Sequence, residues 1–282
     1  MRSVTAYQAQ VPNGPLRRVQ LERRDLRSDD VAVRITYCGV CHSDLHALRT
    51  PVDLGGSFPL VPGHEFVGEV TAVGDQVADF AVGDPVAVGN IVDSCGECAM
   101  CRADQENFCT EFPTVTYSGT DRRDGSTTFG GYASEYVVRD RFVYHRPAQL
   151  DPAAVAPLMC AGVTVWEPLR RWDVGPGSSV AVVGLGGLGH LAVKFAHTLG
   201  ADVTVFTTSA RKAGDARALG ADQVVVSTDD EAMASVGNRF DFVLDTASAP
   251  HDLTLTCAAW PWTARCARSA TSARSRWRHS AC

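Results

Sequence analysis

Four cysteines crowd into fifteen residues of this chain: Cys95-Gly96-Glu97-Cys98-Ala99-Met100-Cys101 and then, after seven intervening residues, Cys109. Two-residue gaps let neighbouring sulfurs converge on one ion, so the spacing predicts a closed, tetrahedral, all-cysteine zinc site. Gly96 allows a tight turn, and the flanking Gly83-Asp84-Pro85 and Gly89-Asn90 read as loop. The competing use of such a cluster is a pair of disulfides, which belongs to oxidising compartments. The N-terminal stretch MRSVTAYQAQVPNGPL has no apolar run of signal-peptide length, and no segment approaches a membrane span. The expectation is therefore a cytoplasmic chain with reduced thiols and no membrane partner. A structural zinc stabilises its loop by ~10–16 kcal/mol near neutral pH, so this lobe is expected to be ordered only when metallated.

The cluster alone does not separate an enzyme from a zinc ribbon on nucleic acid, but charge does. All 32 acidic residues lie at or before Asp252, whereas Arg265, Arg268, Arg274, Arg276 and Arg278 follow it. The first 252 positions thus hold 21 of the 26 basic residues against every acidic one. A body that acidic is a poor general nucleic-acid binder, and none is expected as a partner.

Further metal-ligating residues are scattered. Cys41 stands in Cys38-Gly-Val-Cys41-His42-Ser43-Asp44-Leu-His46, just past the β-like run Val31–Tyr37. His64 and Glu65 stand in Gly63-His64-Glu65-Phe-Val-Gly68, a turn leading into another apolar strand, and Cys160 stands alone in Ala156-Pro-Leu-Met-Cys160-Ala-Gly-Val-Thr164. Ligands so far apart meet only in a folded domain, so their spacing by itself says little.

Downstream, the short buried strand Val180–Val183 enters Gly184-Leu185-Gly186-Gly187-Leu188-Gly189, followed by an amphipathic helix from His190 to Leu199 that Gly200 closes. A strand before and a helix after make this glycine pattern a dinucleotide loop, whose backbone approaches a pyrophosphate held at the helix N-terminus. Asp202–Phe206 reads as the second strand, about Ala210–Leu219 as a helix, and Val224–Val226 and Phe240–Leu244 as the third and fourth strands. An NAD site usually carries Asp or Glu at the end of the second strand. Here Thr207-Thr208-Ser209-Ala-Arg211-Lys212 stands instead, three hydroxyls and two cations with no carboxylate to repel a 2′-phosphate. NADP(H) is the expected cofactor.

In their order, these residues resemble the zinc-dependent medium-chain alcohol dehydrogenases, most closely the cinnamyl alcohol dehydrogenase branch. The resemblance is carried by CGVCHSDLH, GHEFVGEV, SCGECAMCRADQENFC, GGYASEYVV and GLGGLGHLAVKFA, and runs from about residue 3 to residue 254. It implies a GroES-like β-rich catalytic domain over residues 1–151 and a Rossmann doubly wound parallel sheet over 152–255. It implies two zinc ions, a structural one on Cys95, Cys98, Cys101 and Cys109 and a catalytic one on Cys41, His64 and Cys160. Three protein ligands leave the fourth position open to water or substrate oxygen. By the same resemblance, Glu65 lies beside the catalytic ion and Asp44 orients a ligand imidazole by hydrogen bond. Ser43 accepts the alcohol proton and His46 ends the relay, since an imidazole suits proton transfer near neutrality. Thr164 joins Gly184, Gly186, Gly187, Leu188, Gly189 and the Thr207–Lys212 group in holding the cofactor. The implied reaction is hydride exchange between NADP(H) and a primary or aryl alcohol or aldehyde. The rivals are an NAD-linked polyol dehydrogenase, against which the absence of an acidic residue at Thr207 speaks, and a non-catalytic zinc-binding remnant.

After Thr256 the resemblance stops. CAAWPWTARCARSATSARSRWRHSAC has no apolar periodicity, no strand signal and no glycine turn. Read with GC-rich codons from the third base of the Thr256 codon, the shifted frame gives a short apolar helix, an Asp-Gly turn and a β-like run. Residues 256–282 are therefore expected to be a frameshift product, the alternative being a basic disordered tail. On that reading the sheet ends at its fourth strand with an open edge, and the chain is expected to be poorly soluble and nearly inactive. Homodimers of the family pair through the last strand of this sheet, which leaves dimerisation of this chain open.

Overall fold

The computed structural model describes residues 1–237, 239–248 and 251, and the backbone of 265–268. The chain divides into two compact units, Met1–Cys160 and a second that begins at Ala161. Among the described residues, no helix is long and apolar enough to cross a membrane.

In chain order the first unit holds β1 (Arg2–Gln8), β2 (Arg17–Arg23), β3 (Asp30–Cys38), α1 (His42–Arg49), β4 (Phe66–Val73), β5 (Pro85–Val88), β6 (Ile91–Asp93), α2 (Ala99–Arg102), β7 (Thr114–Val115), β8 (Glu135–Arg139), β9 (Val143–His145) and α3 (Pro152–Val155). Five strands form an antiparallel sheet in the order β8-β3-β4-β5-β9, while β1 pairs with β2 and β6 with β7. Because β3 lies inside that sheet, its consecutive Val31, Ala32 and Val33 are all fully buried, which is why the run reads as continuously apolar rather than alternating. Phe66, Val70, Val86, Val88, Tyr136 and Val138 pack with Val31 and Val33 into one core. This is the GroES-like β-rich architecture expected. One local reading is corrected: Pro85 is not in the loop but opens β5, where a missing N–H is tolerated at a strand's first residue.

The second unit holds α4 (Ala161–Arg171), β10 (Ser179–Val183), α5 (Gly187–Thr198), β11 (Asp202–Thr207), α6 (Ala213–Ala218), β12 (Gln223–Val226), α7 (Asp230–Ala234), β13 (Phe242–Asp245) and β14 (Arg265–Arg268). The strands are parallel in the order β12-β11-β10-β13-β14. The order reverses beside β10, and ligands of such sheets bind outside the strand ends at that switch point. The four strands expected from sequence are present. The sheet carries a fifth, however: β14 pairs with β13 in register Phe242↔Arg265 to Asp245↔Arg268, so the edge of β13 expected to stand open is covered, and the open-edge ground for expecting a poorly soluble, nearly inactive chain falls with it. Parallel pairing is made by backbone N–H and C=O groups, which Arg-Cys-Ala-Arg supplies without any apolar pattern to announce it. The rest of the segment assigned to a frameshift lies outside the described residues.

Candidate metal centres and cofactor loop

The first centre is assembled from three places in the first unit. Cys41 precedes α1 as its N-cap, His64 sits in the turn before β4, and Cys160 closes the unit. Their ligand atoms lie within 4.8 Å of one another. Cys41 Sγ and Cys160 Sγ are 3.8 Å apart, and His64 Nε2 is 3.2 Å from Cys160 Sγ. A tetrahedral zinc with the usual bond lengths requires about 3.8 Å between two sulfurs and about 3.5 Å between nitrogen and sulfur. The donor set therefore fits zinc in identity and in spacing.

Electrostatics agree. The hydrogen bond from Cys160 pulls the Cys41 thiol down to about 3 against the effect of burial, with His64 and Ser43 adding to it. Cys160, which shares that hydrogen bond and is itself buried, is pushed up. Burial opposes a charge on His64, but hydrogen bonds to Asp44 and Cys41 outweigh it and lift its pKa to about 10. Binding of a metal to these groups releases whatever protons they hold.

Asp44 is buried behind the ligands. Its Oδ1 accepts from His64 Nδ1 at 3.0 Å and from the Gly63 backbone N–H at 3.0 Å, and its Oδ2 accepts from the Cys41 backbone N–H at 3.0 Å. One carboxylate thereby ties together the two segments that carry Cys41 and His64, and it fixes the tautomer that leaves Nε2 to the metal. Its hydrogen bonds, led by that to His64, keep its own pKa low despite burial. Glu65 is also buried, and its side chain packs against position 39, where a Cβ would stand 2.6 Å from Oε1 and the Glu65 side chain would have to shift. Ser43 hydrogen-bonds Cys41 and is half-buried, and His46 follows on the same helix, exposed. Two residues were not singled out from sequence. Tyr117 stands edge-on to the His64 ring with centroids 5.7 Å apart, and the Tyr132 hydroxyl reaches Asp44. The motif GGYASEYVV contained Tyr132, but nothing in a linear sequence points its side chain at residue 44.

The second centre is the four-cysteine lobe, whose sulfurs also lie within 4.8 Å of one another, Cys95 and Cys101 being 3.8 Å apart. Backbone N–H groups of Cys98 and Cys101 donate to the sulfurs of Cys95 and Cys98. This is the turn that two-residue gaps permit, and with Thr110 it holds the Cys98 thiol down at about 5. The seven cysteines whose side chains are described are free thiols. Arg141 braces it by hydrogen bonds to Glu106 and Asp104. Cys98→Ser is expected to abolish zinc binding here and to unfold the lobe, since the metal supplies most of its stability. Limited proteolysis checks this: the variant is cut between residues 94 and 110 under conditions that leave the parent chain whole.

In the second unit the glycines divide their work. Gly184 has φ +86°, a conformation side chains rarely adopt, and a Cβ on Gly189 would stand 2.0 Å from the Gly184 carbonyl oxygen. Gly186 and Gly187 face open space at the start of α5, with no side chain capping the helix. Free N–H groups beside open space are what an anionic pyrophosphate needs. At the end of β11, Thr207 is buried and its Oγ1 accepts from the Ser209 N–H, so this hydroxyl shapes the loop. Thr208, Arg211 and Lys212 are exposed and Ser209 is half-buried. Lys212 Nζ donates to the Leu185 carbonyl at 2.9 Å, which places a cation against the glycine loop. Leu188 lies within α5, and Thr164 in the first turns of α4, partly buried.

Comparison with known proteins gives consistent matches. Residues 27–148 match the family described as alcohol dehydrogenase GroES-like domain, and residues 187–261 match that described as zinc-binding dehydrogenase. The aldehyde reductase YahK of Escherichia coli is 49% identical over 254 residues, covering 90% of this chain and 71% of that protein. A cinnamyl alcohol dehydrogenase from Sorghum bicolor superposes with a TM-score of 0.90 at 38% identity, over 97% of this chain and 79% of the other. The cinnamyl alcohol dehydrogenase of Helicobacter pylori, solved in complex with NADP(H), gives 0.88 at 31% identity over 96% and 76%.

Proposed function

Starting from the premise that the chain belongs to the zinc-dependent medium-chain alcohol dehydrogenase family, we propose that it is an NADP(H)-dependent alcohol dehydrogenase that works mainly as a reductase of aryl and primary aldehydes. The observation that carries the reading is the cluster of Cys41, His64 and Cys160, two thiols and an imidazole at tetrahedral spacing with no fourth protein ligand among the described residues. Zinc on these ligands supplies Lewis-acid polarisation of the substrate oxygen. Ser43, at hydrogen-bond reach of Cys41, exchanges a proton with that oxygen, and His46, exposed on the same helix, passes it to solvent. Asp44 holds the imidazole in place. Glu65 keeps a buried carboxylate beside the ligands, available during ligand exchange.

Residues 1–151 serve as catalytic domain and 152–255 as nucleotide domain. The N–H groups around Gly186 and Gly187 bind the pyrophosphate, with Thr164 and Leu188 along its path. Thr208, Ser209, Arg211 and Lys212 receive a 2′-phosphate, while Thr207 shapes their loop. The NADP(H) complex of the Helicobacter pylori relative supports this choice, and the absence of a carboxylate at the end of β11 disfavours an NAD-linked polyol dehydrogenase. Free thiols throughout the described residues suit a reducing compartment, the cytoplasm. Hydride transfer is tested by supplying NADPH deuterated at C4 together with benzaldehyde and analysing the product by mass spectrometry. Benzyl alcohol carrying one deuterium is expected from one of the two C4 epimers; product without deuterium from both epimers refutes the reading.

A further inference from the structure

The segment Gly130-Gly131-Tyr132 is fastened along the turn that carries His64. Gly130 N–H donates to the Val61 carbonyl at 2.7 Å, Gly131 N–H to Gly63 at 2.8 Å, and Tyr132 N–H to Pro62 at 2.9 Å. The approach is so close that a Cβ on Gly130 would stand 2.3 Å from the Pro62 oxygen, and one on Gly131 2.5 Å from the Phe66 ring. The segment is held from the other side by Arg23, which is buried against the Tyr136 ring and donates to the carbonyls of Phe129, Gly130 and Glu135. From this fixed backbone the Tyr132 hydroxyl reaches both Asp44 Oδ2 at 3.3 Å and the Gly39 carbonyl at 3.5 Å, and its single proton goes to the nearer, charged acceptor. Asp44 thus receives His64 Nδ1 and Gly63 N–H on Oδ1, and Cys41 N–H and Tyr132 O–H on Oδ2, with the Tyr117 hydroxyl interacting with the same carboxylate.

We propose that Tyr132 is a positioning residue for the catalytic metal: its hydroxyl fixes the rotation of Asp44, and Asp44 in turn fixes both the Cys41 turn and the His64 imidazole. The proposal rests on the zinc reading of the Cys41, His64 and Cys160 cluster. The Cys41 N–H belongs to one ligand segment, whereas Tyr132 is the donor tied through its backbone to the other. Burial and the facing carboxylate raise the pKa of Tyr132, so the phenol remains a donor at any working pH. Without it the carboxylate turns more freely, and both ligand segments loosen together. Tyr117, whose hydroxyl also interacts with Asp44, lacks this backbone attachment to the turn.

The test is zinc release, read with the chelating dye 4-(2-pyridylazo)resorcinol on zinc-loaded protein. Parent protein is first assayed for two ions per chain; fewer than two refutes the zinc reading itself and is thereby told apart from failure of the tyrosine's role. In Tyr132→Phe, release of one ion is expected to accelerate roughly tenfold, the lower end of what lost outer-sphere partners do to metal sites, while the four-cysteine ion leaves at the parent rate. In the Asp44→Asn background, Tyr132→Phe is expected to add nothing. Parent-like release of both ions overturns the proposal, as does an undiminished tenfold effect in the Asp44→Asn background. Loss of both ions together with a collapsed thermal transition makes Tyr132 a folding residue and overturns it as well.

Discussion

Cys41→Ser is expected to reduce bound zinc from two ions per chain to one and to abolish aldehyde reduction, while leaving the secondary structure and thermal transition of the protein near those of the parent. A serine hydroxyl remains protonated near neutrality and is a poor zinc ligand, so the site falls from three protein donors to two. Lewis-acid stabilisation of the transition state is worth several kcal/mol, and ~4 kcal/mol corresponds to a rate loss of about a thousandfold. The fold has other support, since the core of the first unit is built largely from β3, β4, β5 and β8 side chains, none of them a member of the ligand set. Elemental analysis together with circular dichroism and turnover measures all three quantities. A variant that keeps two zinc ions, or that turns over at the parent rate, shows that Cys41 is not a ligand.

Arg211→Ala combined with Lys212→Ala is expected to raise the dissociation constant for NADPH roughly a hundredfold, about 1.4 kcal/mol for each charge-assisted contact. The two side chains are not equivalent. Lys212 also holds the Leu185 carbonyl, so Lys212→Ala alone loosens the glycine loop and weakens NADH and NADPH together. Arg211 makes no such contact and is exposed, so Arg211→Ala alone weakens NADPH selectively. Fluorescence titration of each variant with both nucleotides separates these effects. Equal affinity of the parent protein for NADH and NADPH refutes the assignment before any mutation is made.

Much of this site was legible because its chemistry is written locally. Cys95 to Cys109 specify a metal lobe by spacing alone, and the run from Val180 through Gly189 specifies a strand, a phosphate loop and a helix in sequence. The parallel strands are announced by short valine-rich runs such as Val180–Val183, which is buried throughout. The long-range ligand set was another matter: Cys41, His64 and Cys160 acquire meaning only when the β3–α1 turn, the turn before β4 and the end of the unit converge, and the family resemblance supplied that convergence in advance. The hydroxyls of Tyr117 and Tyr132 had no such help. Position alone puts Thr207 among the phosphate-facing hydroxyls, whereas its burial and its bond to Ser209 make it part of the loop's frame. The strand Arg265–Arg268 carries no apolar run, so its pairing with β13 has nothing in the side-chain pattern to announce it.

Zinc dependence of aldehyde-driven NADPH oxidation tests the central claim most directly. Protein purified without chelator is divided, one half stripped of zinc by prolonged exposure to a chelator and returned to metal-free buffer, and both are followed at 340 nm with cinnamaldehyde and NADPH. The zinc-loaded half is predicted to oxidise NADPH only when aldehyde is present, and the stripped half to do so at a small fraction of that rate until zinc is returned. Equal rates from the loaded and stripped halves, or no aldehyde-dependent oxidation from protein that carries two zinc ions and binds NADPH, would contradict a zinc-centred aldehyde reductase.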